Sequence, residues 1–110
     1  NDLENLLNLH GEVFPYENGH WIKFEALQVE VSEQIPHGIK YSLTLHNKKN
    51  ERVIGYDNAH SFKSDKKYSA KKVTYDHIHK KEKILAYEFE TASQLITDFW
   101  NSVEMYMKNI

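Results

Sequence analysis

The sequence predicts an α+β domain in which an antiparallel β-sheet packs against a C-terminal α-helix, with a short N-terminal helix. Apolar residues alternate with polar ones through much of 21–45, which is the period of half-buried strands. From residue 92 they recur at every third or fourth position, as in an amphipathic helix. A chain of 110 residues is expected to form one domain. We divide this domain (1–110) into an N-terminal helix and turn (1–20), a sheet (21–89) with a basic loop (61–72), and a C-terminal helix (91–108).

Three leucines at helical spacing predict the short N-terminal helix. Gly11 follows them and is expected to end the helix, because glycine readily adopts the backbone conformation found after helix ends. Pro15 and the pair Asn18-Gly19 then predict irregular chain and a turn. The leucines are Leu3, Leu6 and Leu7.

A first strand is expected to begin at Trp21, where the apolar period changes to two. The apolar phase then shifts by one residue at Ala26-Leu27 and continues to Val31. A β-bulge produces such a shift, so we expect one long strand with a bulge at Ala26-Leu27.

The clearest strand signal is the alternation over 39–45. Residues 47–50 are polar and predict a turn, so 52–56 become the return strand of a hairpin. Two shorter strands are expected at 73–79 and 86–89.

The C-terminal helix has a defined start, because Thr91 and Gln94 match a capping box. The apolar residues that follow form one stripe, which we expect to cover one face of the sheet. The stripe consists of Ala92, Leu95, Phe99 and Val103.

Composition excludes several classes of site. The chain contains no cysteine, which excludes a disulfide scaffold, a thiolate zinc site, an iron–sulfur cluster and a cysteine nucleophile. No apolar run approaches the roughly 20 residues that span a bilayer, and the first residues lack the cationic and apolar parts of a signal peptide. The sequence does not begin with methionine, so we expect a trimmed form of a cytoplasmic protein.

The net charge of −2 hides an uneven distribution. Residues 48–83 carry a net charge of +6, whereas 1–47 carry −5 and 84–110 carry −3. A basic middle between acidic flanks predicts two electrostatically distinct surfaces. We expect the loop at 61–72, which has no apolar period, to be mobile and to bind phosphates; a lysine-rich loop that is merely solvated is the alternative.

Three of the seven histidines lie around this loop: His60, His77 and His79. Imidazoles titrate near neutral pH, so one could deprotonate the 2′-hydroxyl of RNA while another protonates the leaving 5′-oxygen. Nearby lysines would stabilise the charge on the phosphorane. If 53–59 and 73–79 are neighbouring strands, we expect Asp57 and the three histidines to come together across the loop.

The same histidines leave two other interpretations open. His77 and His79 could bind zinc or manganese, with a third ligand from His60, Asp57 or Asp76. A His-x-His pair alone is a weak metal signal, so we favour a site with no cofactor over a divalent metal at His77 and His79. In the other interpretation the histidines order the loop and have no chemical role.

Other residues of this region also have structural alternatives. Asp57 and Asn58 follow a strand and could end it by hydrogen-bonding the backbone. The tyrosines between the lysines could stack on bases, but tyrosine is also common in strands. These are Tyr56, Tyr68 and Tyr75; we assign no role to His10, His20, His37 or His46.

Several segments together have the order and spacing of one known family. The two most specific are Gly55-Tyr56-Asp57-Asn58-Ala59-His60 and Asp76-His77-Ile78-His79, and the others are 36–43, 87–89 and 98–104. From about Trp21 to Met107 the chain resembles the TumE-like family, which are small prokaryotic toxins of toxin–antitoxin systems.

The resemblance implies a cytoplasmic protein of a bacterium or archaeon with a helix-turn-helix antitoxin as its partner. From the sequence we also expect no membrane partner, and the toxin could form a homodimer. Small toxins with a sheet, a helix and a basic face often cleave RNA, so the analogy of fold favours an RNA target. That analogy would place the site at Asp57, Asn58, His60, His77 and His79.

The function expected from the sequence is therefore a growth-inhibiting toxin that acts on RNA in the manner of a ribonuclease. One alternative is a module that binds nucleic acid or protein without catalysis, and another is a metal-dependent nuclease. In the expected function Asp57, His60, His77 and His79 are catalytic. The residues expected on nucleic acid are Asn58, Lys63, Lys66, Lys67, Lys71 and Lys72.

Overall fold

An antiparallel sheet with one helix on its face and a short helix at the N-terminus confirms the predicted fold class. The computed structural model describes residues 2–33, 35, 37–58, 71–76, 81–86 and 89–110; for Asp2, 71–76 and 81–86 it describes the backbone alone. The helices are α1 (Asp2–Asn8) and α2 (Ala92–Lys108). Within the described residues six strands pair in sequence order: β1 (Val13–Pro15), β2 (Trp21–Gln28), β3 (Ile39–His46), β4 (Arg52–Asp57), β5 (Lys71–Asp76) and β6 (Lys81–Ala86).

β2 is shorter than predicted, and the bulge expected at Ala26-Leu27 is absent from it. β2 pairs with β3 in unbroken register from Trp21 to Gln28. Beyond Gln28 the chain turns back towards β3, and the Val29 N–H donates to the Gly38 carbonyl over 2.8 Å. The later apolar residues that looked like a second phase of the strand do not enter the core, since Leu27 is exposed.

The β3–β4 hairpin is confirmed, and Asn47 organises its turn. The Asn47 Oδ1 accepts hydrogen bonds from the N–H groups of Lys49 (2.9 Å) and Glu51 (3.0 Å). Asn50 adopts a φ of 64°, a left-handed conformation that asparagine tolerates better than most residues. The turn thus fixes the start of β4 opposite the end of β3.

The outer strands are where the sequence prediction was least accurate. β1 was missed, because three exposed residues next to a turn carry no apolar period. β5 begins at Lys71, so the last two residues of the predicted loop belong to a strand, and 61–70 lie outside the described residues. β6 covers 81–86 where a strand was predicted at 86–89. The bounds of β5 and β6 are set by backbone pairing, of β5 with β4 and of β6 with β5. The lysine-rich sequence does not reveal this pairing.

α2 begins as the capping box predicted. The Thr91 side chain accepts a hydrogen bond from the Gln94 N–H over 3.1 Å. The Gln94 side chain accepts in return from the backbone N–H of Glu90 over 2.8 Å, one residue earlier than in the usual motif. The first bond satisfies a backbone donor that the first turn of a helix leaves without an intrahelical partner, and the second satisfies the N–H of the residue before the cap.

Thr91→Ala is expected to lower the free energy of unfolding by about 1 kcal/mol, because the cap acceptor is lost. Thr91→Ser keeps the hydroxyl and should retain nearly all of the stability. Urea denaturation of the two variants measures the difference. Equal losses in both would mean that the hydroxyl does not cap α2.

The core lies between α2 and one face of β2, β3 and β4. Phe99 is fully buried, and its ring meets Phe24 of β2 and Tyr56 of β4 edge-on, with centroids 5.6 and 6.0 Å away. The Tyr56 hydroxyl also bonds Ser102 Oγ of α2 at 2.6 Å. The helix α2 therefore covers one face of the central strands of the sheet.

The N-terminal segment covers the free edge of β2. The Phe24 N–H donates to the Glu12 carbonyl over 3.0 Å, and the Gly11 N–H donates to the Phe24 carbonyl over 2.8 Å. Further along, the Ala26 N–H donates to His10 Nδ1 over 3.1 Å. Pairing that edge limits its ability to pair with another chain.

Candidate functional site

The candidate site lies on the face of β2, β3 and β4 that points away from α2, which we call the outer face. Side chains alternate along a strand, so Thr44 and His46 lie on the outer face because Leu43 and Leu45 fill the core. The outer face of an antiparallel sheet is commonly solvated. Here Thr44 and Asp57 are nevertheless only 7 % and 4 % exposed, and buried polar side chains of this kind need an explanation.

A β-bulge near the start of β4 shapes this face. Leu45 pairs with Ile54, but His46 pairs with Arg52, so Val53 is an extra residue on β4. Bulges redirect side chains relative to the regular alternation. The sequence predicted a bulge in β2, whereas the irregularity lies between β3 and β4.

Because of the bulge, Arg52 lies across the outer face towards Asp57. A Cβ added to Gly55 would come within 3.3 Å of Arg52 Cδ, so the arginine side chain passes over the glycine. Its guanidinium reaches the Asp57 carboxylate, with 3.9 Å between Arg52 Nη1 and Asp57 Oδ2. The pair thus joins the first and last residues of β4, and Gly55 leaves room for it.

His46 lies on the same face and has close contacts with β2 and β3. Its ring stacks on Trp21, with the centroids 3.9 Å apart and the planes 10° from parallel. His46 Nε2 shares a hydrogen bond of 2.9 Å with Thr44 Oγ1. Nδ1 is buried and has no hydrogen-bond partner among the described residues. The orientation of the imidazole is therefore fixed, and one of its nitrogens remains unused there.

The environment of His46 favours the neutral imidazole. Burial lowers the pKa of His46 below its usual 6.5, and the positive charges of Arg52 and Lys23 lower it further. At pH 7 the ring is thus uncharged between two cations. A neutral imidazole can accept a proton, which a charged one cannot.

Asp57 is the last residue of β4, the strand that precedes the basic loop (61–72) in the sequence. In the register of β4 and β5, Asp57 lies opposite Lys71, and Tyr56 lies opposite Lys72. The expectation that these two strands are neighbours is confirmed. The register places one buried carboxylate next to the start of a lysine-rich strand.

Asp57 was expected to meet the histidines of the Asp76-His77-Ile78-His79 motif across the basic loop, but Asp76, where this motif begins, does not lie near Asp57. Lys71 faces Asp57, whereas Asp76 ends β5 five residues further on, about 16 Å away along an extended strand. Thr74 pairs with Ile54, so the chain after Thr74 runs towards the Arg52 end of β4. Antiparallel pairing causes this, because the loop joins one end of each strand only.

Most of the histidines and lysines to which the sequence analysis gave a functional role lie outside the part of the chain that the structure describes. His60, Lys63, Lys66, Lys67, His77 and His79 lie outside the described residues. For Lys71 and Lys72 the backbone position in β5 is described, as given above.

Asn58 has a structural role that the sequence analysis had left as an alternative. Its Oδ1 accepts from the Tyr41 N–H over 2.9 Å, and its Nδ2 donates to the Ile39 carbonyl over 2.8 Å. The side-chain amide thus bonds β3 where a further residue of β4 would otherwise do so. This extends the pairing of β3 beyond Asp57 and holds the end of β4 in place.

Asn58→Ala is expected to lower the free energy of unfolding by about 1–3 kcal/mol, because two backbone groups lose their partners. Asn58→Asp keeps an acceptor for the Tyr41 N–H but places a carboxylate oxygen near the Ile39 carbonyl, so it should restore stability only in part. Chemical denaturation measures both variants. An alanine variant as stable as the wild type would show that the amide bonds are dispensable.

Three further histidines serve the fold. His20 Nδ1 donates to the Glu17 carbonyl over 2.9 Å, and its Nε2 bonds the Tyr106 hydroxyl of α2 at 3.2 Å. His37 stacks on Phe89, with ring centroids 4.3 Å apart, and its Nε2 donates to the Phe89 carbonyl over 3.1 Å. His10 bonds the edge of β2, as described above. The contacts of these three histidines are structural, in agreement with the sequence analysis, which gave none of them a functional role. His46 is different, since it lies beside Arg52 on the outer face.

The described residues contain no group of three or more histidines, aspartates or glutamates that could hold a metal ion. The metal ligands considered from the sequence include His60, His77 and His79, which lie outside that part of the chain. Among the described residues, no helix has the length and apolar character needed to cross a membrane.

Comparison with known proteins gives one result. Neither the curated proteins nor the solved structures gave a match to this chain. A family model described as "Toxin TumE" matches residues 4–107, which is nearly the whole chain and includes most of both helices and the sheet between them. A toxin of a toxin–antitoxin system also implies an antitoxin as partner. The chain therefore belongs to the toxin TumE family and is a toxin of a toxin–antitoxin system.

Proposed function

We propose that this toxin stops growth by cleaving RNA without a metal cofactor. The observation that carries the proposal is the pairing of β4 with β5, which sets the buried carboxylate of Asp57 opposite Lys71 at the start of a basic segment. A phosphodiester near that segment would be held by lysines, and the phosphorane formed during cleavage would be stabilised by them.

The chemistry requires one group to accept the proton of the 2′-hydroxyl and another to protonate the 5′-oxygen that leaves. In the proposal His77 and His79 supply these two proton transfers, because both lie in the short connection between Asp76 and Lys81, which pair with each other, whereas His60 follows the other end of β4. Asp57 acts as a positioning residue, since it already holds Arg52 on the outer face. Lys63, Lys66, Lys67, Lys71 and Lys72 bind phosphates, while Asn58 keeps the end of β4 in position.

The proposed partner is a helix-turn-helix antitoxin that covers this site in the cytoplasm. A toxin that cleaves RNA needs its substrate surface blocked while the cell grows, and an acidic protein would compete with RNA for the lysines. The gene next to that of the toxin tests this proposal, since it should encode a small helix-turn-helix protein.

The test of RNA cleavage uses the purified full chain and single-stranded RNA in the presence of EDTA. We expect cleavage that EDTA does not prevent, with products that end in 2′,3′-cyclic phosphate, because the 2′-oxygen is the attacking group. RNA that stays intact with and without added Mg²⁺ or Mn²⁺ would overturn the proposal and favour a toxin that only binds. Cleavage that requires the metal would favour the metal-dependent nuclease.

A further inference from the structure

One end of the outer face carries a cluster that the proposed cleavage chemistry does not use. In the sheet register Trp21 lies opposite His46, Lys23 lies opposite Thr44, and Arg52 lies opposite His46 on the other side. Directly opposite residues have their Cβ atoms only about 5 Å apart, so three strands bring these side chains together. We call these five residues the His46 cluster.

The His46 cluster is positively charged and accessible at its rim. The side chains of Lys23 and Arg52 are 42 % and 37 % exposed, and both charges act on the His46 ring. Each cation has a carboxylate partner on the same strand: Glu25 lies 3.5 Å from Lys23, and Asp57 lies 3.9 Å from Arg52. The Lys23–Glu25 pair is exposed on both sides and contributes little, so an anion can compete for Lys23 at small cost. The Asp57 side chain is only 6 % exposed, so an anion would bind Arg52 beside Asp57 and not in its place.

The cluster also contains an oriented aromatic ring. The Trp21 indole is stacked on His46, and its Nε1–H donates to Asn50 Oδ1 over 3.1 Å, so the ring is held from two sides. Trp21 is only partly buried. An aromatic ring next to two cations is the combination that binds single-stranded nucleic acid, with a base on the ring and phosphate on the cations.

We propose that the His46 cluster binds one nucleotide of single-stranded RNA, with its phosphate on Lys23 and Arg52 and its base against Trp21. The inference rests on the proposed function for the identity of the ligand. β5 runs towards the Arg52 end of β4 and ends at Asp76, so RNA bound at the cluster would lie near the point from which the chain continues to His77 and His79.

Binding of a phosphate should be coupled to proton uptake by His46. In the free protein burial and the two cations hold the pKa of His46 below its usual 6.5. A bound phosphate adds negative charge next to the ring, so the pKa of His46 rises in the complex. The complex then holds more protons than the free protein, so affinity increases as the pH falls through the interval between the pKa of His46 in the complex and its lower pKa in the free protein.

The test measures binding of a 2′-O-methyl oligouridine, which has no free 2′-hydroxyl and so cannot be cleaved. Trp100→Phe leaves Trp21 as the single tryptophan of the two in the chain, and its fluorescence reports base stacking. In this background we expect RNA to quench Trp21. Lys23→Gln and Arg52→Gln should each weaken binding roughly tenfold and reduce the slope of log Kd against log salt by about 1.

Matched variants separate a local site from general attraction. Lys108→Gln removes the same charge from the last turn of α2, on the other side of the sheet, and should leave the affinity and the salt slope unchanged. His46→Gln should abolish the increase in affinity at low pH. Lys23→Gln keeps the test decisive if Arg52→Gln destabilises the fold, because Lys23 lies on β2, whereas the bulge lies between β3 and β4.

The outcomes distinguish this inference from the proposed function. RNA binding by the wild type, together with an unchanged affinity in Lys23→Gln and an unchanged pH dependence in His46→Gln, would overturn the His46 cluster and leave RNA cleavage standing. In the His46→Gln background no imidazolium can form next to the indole, so inorganic phosphate, which has no base, should not quench Trp21 there. Equal quenching by phosphate and RNA in that background would overturn the nucleotide assignment. A wild-type protein that neither binds nor cleaves RNA would overturn both.

Discussion

Phe99→Ala is expected to lower the free energy of unfolding by about 3–5 kcal/mol, which is typical of a large aromatic side chain removed from a core. Phe99 is fully buried between α2 and the sheet, where its ring meets Phe24 and Tyr56. Alanine would leave a cavity that three elements border, and neighbours fixed in strands can close it only in part.

Met105→Ala is the matched control, because Met105 lies on the same helix but is 63 % exposed. Its loss should be below about 0.5 kcal/mol. Urea denaturation of both variants gives the comparison, provided that the m-values agree. A Phe99→Ala loss under about 1 kcal/mol would contradict the packing of α2 on the sheet.

Single alanine variants at His60, His77 and His79 are expected to reduce the rate of RNA cleavage by about 10²–10⁴ where the histidine transfers a proton. The chemistry needs one proton acceptor and one proton donor, so at least two of the three variants should show losses of this size. Cleavage of a defined single-stranded RNA under single-turnover conditions measures the chemical step.

His10→Ala serves as the control for loss of an imidazole. His10 accepts a hydrogen bond from β2 at the far edge of the sheet from β5, so cleavage should continue at close to the wild-type rate. Thermal melts confirm that each variant is folded. Wild-type rates in all three site variants would remove these histidines from the mechanism and favour a toxin that only binds.

The parts of the fold that follow from the sequence are those whose burial pattern is simple. In β3 every second residue from Ile39 to Leu45 is buried, and in α2 the stripe that includes Leu95 and Phe99 is buried. When one face of a strand or helix is buried, apolar residues recur with the period of that element, so the element can be predicted from the spacing of its apolar residues. β1 has no buried residue, and the side chains of β5 and β6 are largely charged or polar, so their positions depend on backbone pairing that the period does not record.

The candidate site was less predictable, because its geometry depends on contacts between strands. Asp57 and Asn58 could be singled out by their position after a strand, but the bonds of Asn58 to β3 decide its role. The proximity of Arg52 and His46 depends on the bulge at Val53 and on the β3–β4 register. The one available signal was a histidine at an outward position of the clearest strand, and it has no meaning until the neighbouring strands are known.

The central claim, that this toxin arrests growth by cleaving RNA, is tested most directly by expressing a folded variant that cannot cleave. We would induce the wild type and a His77→Ala/His79→Ala double variant in the same cells without antitoxin, and measure growth and protein amount together. The account predicts that the wild type arrests growth while the double variant, which has lost cleavage in vitro, does not. Arrest by a folded double variant as complete as that by the wild type would contradict it.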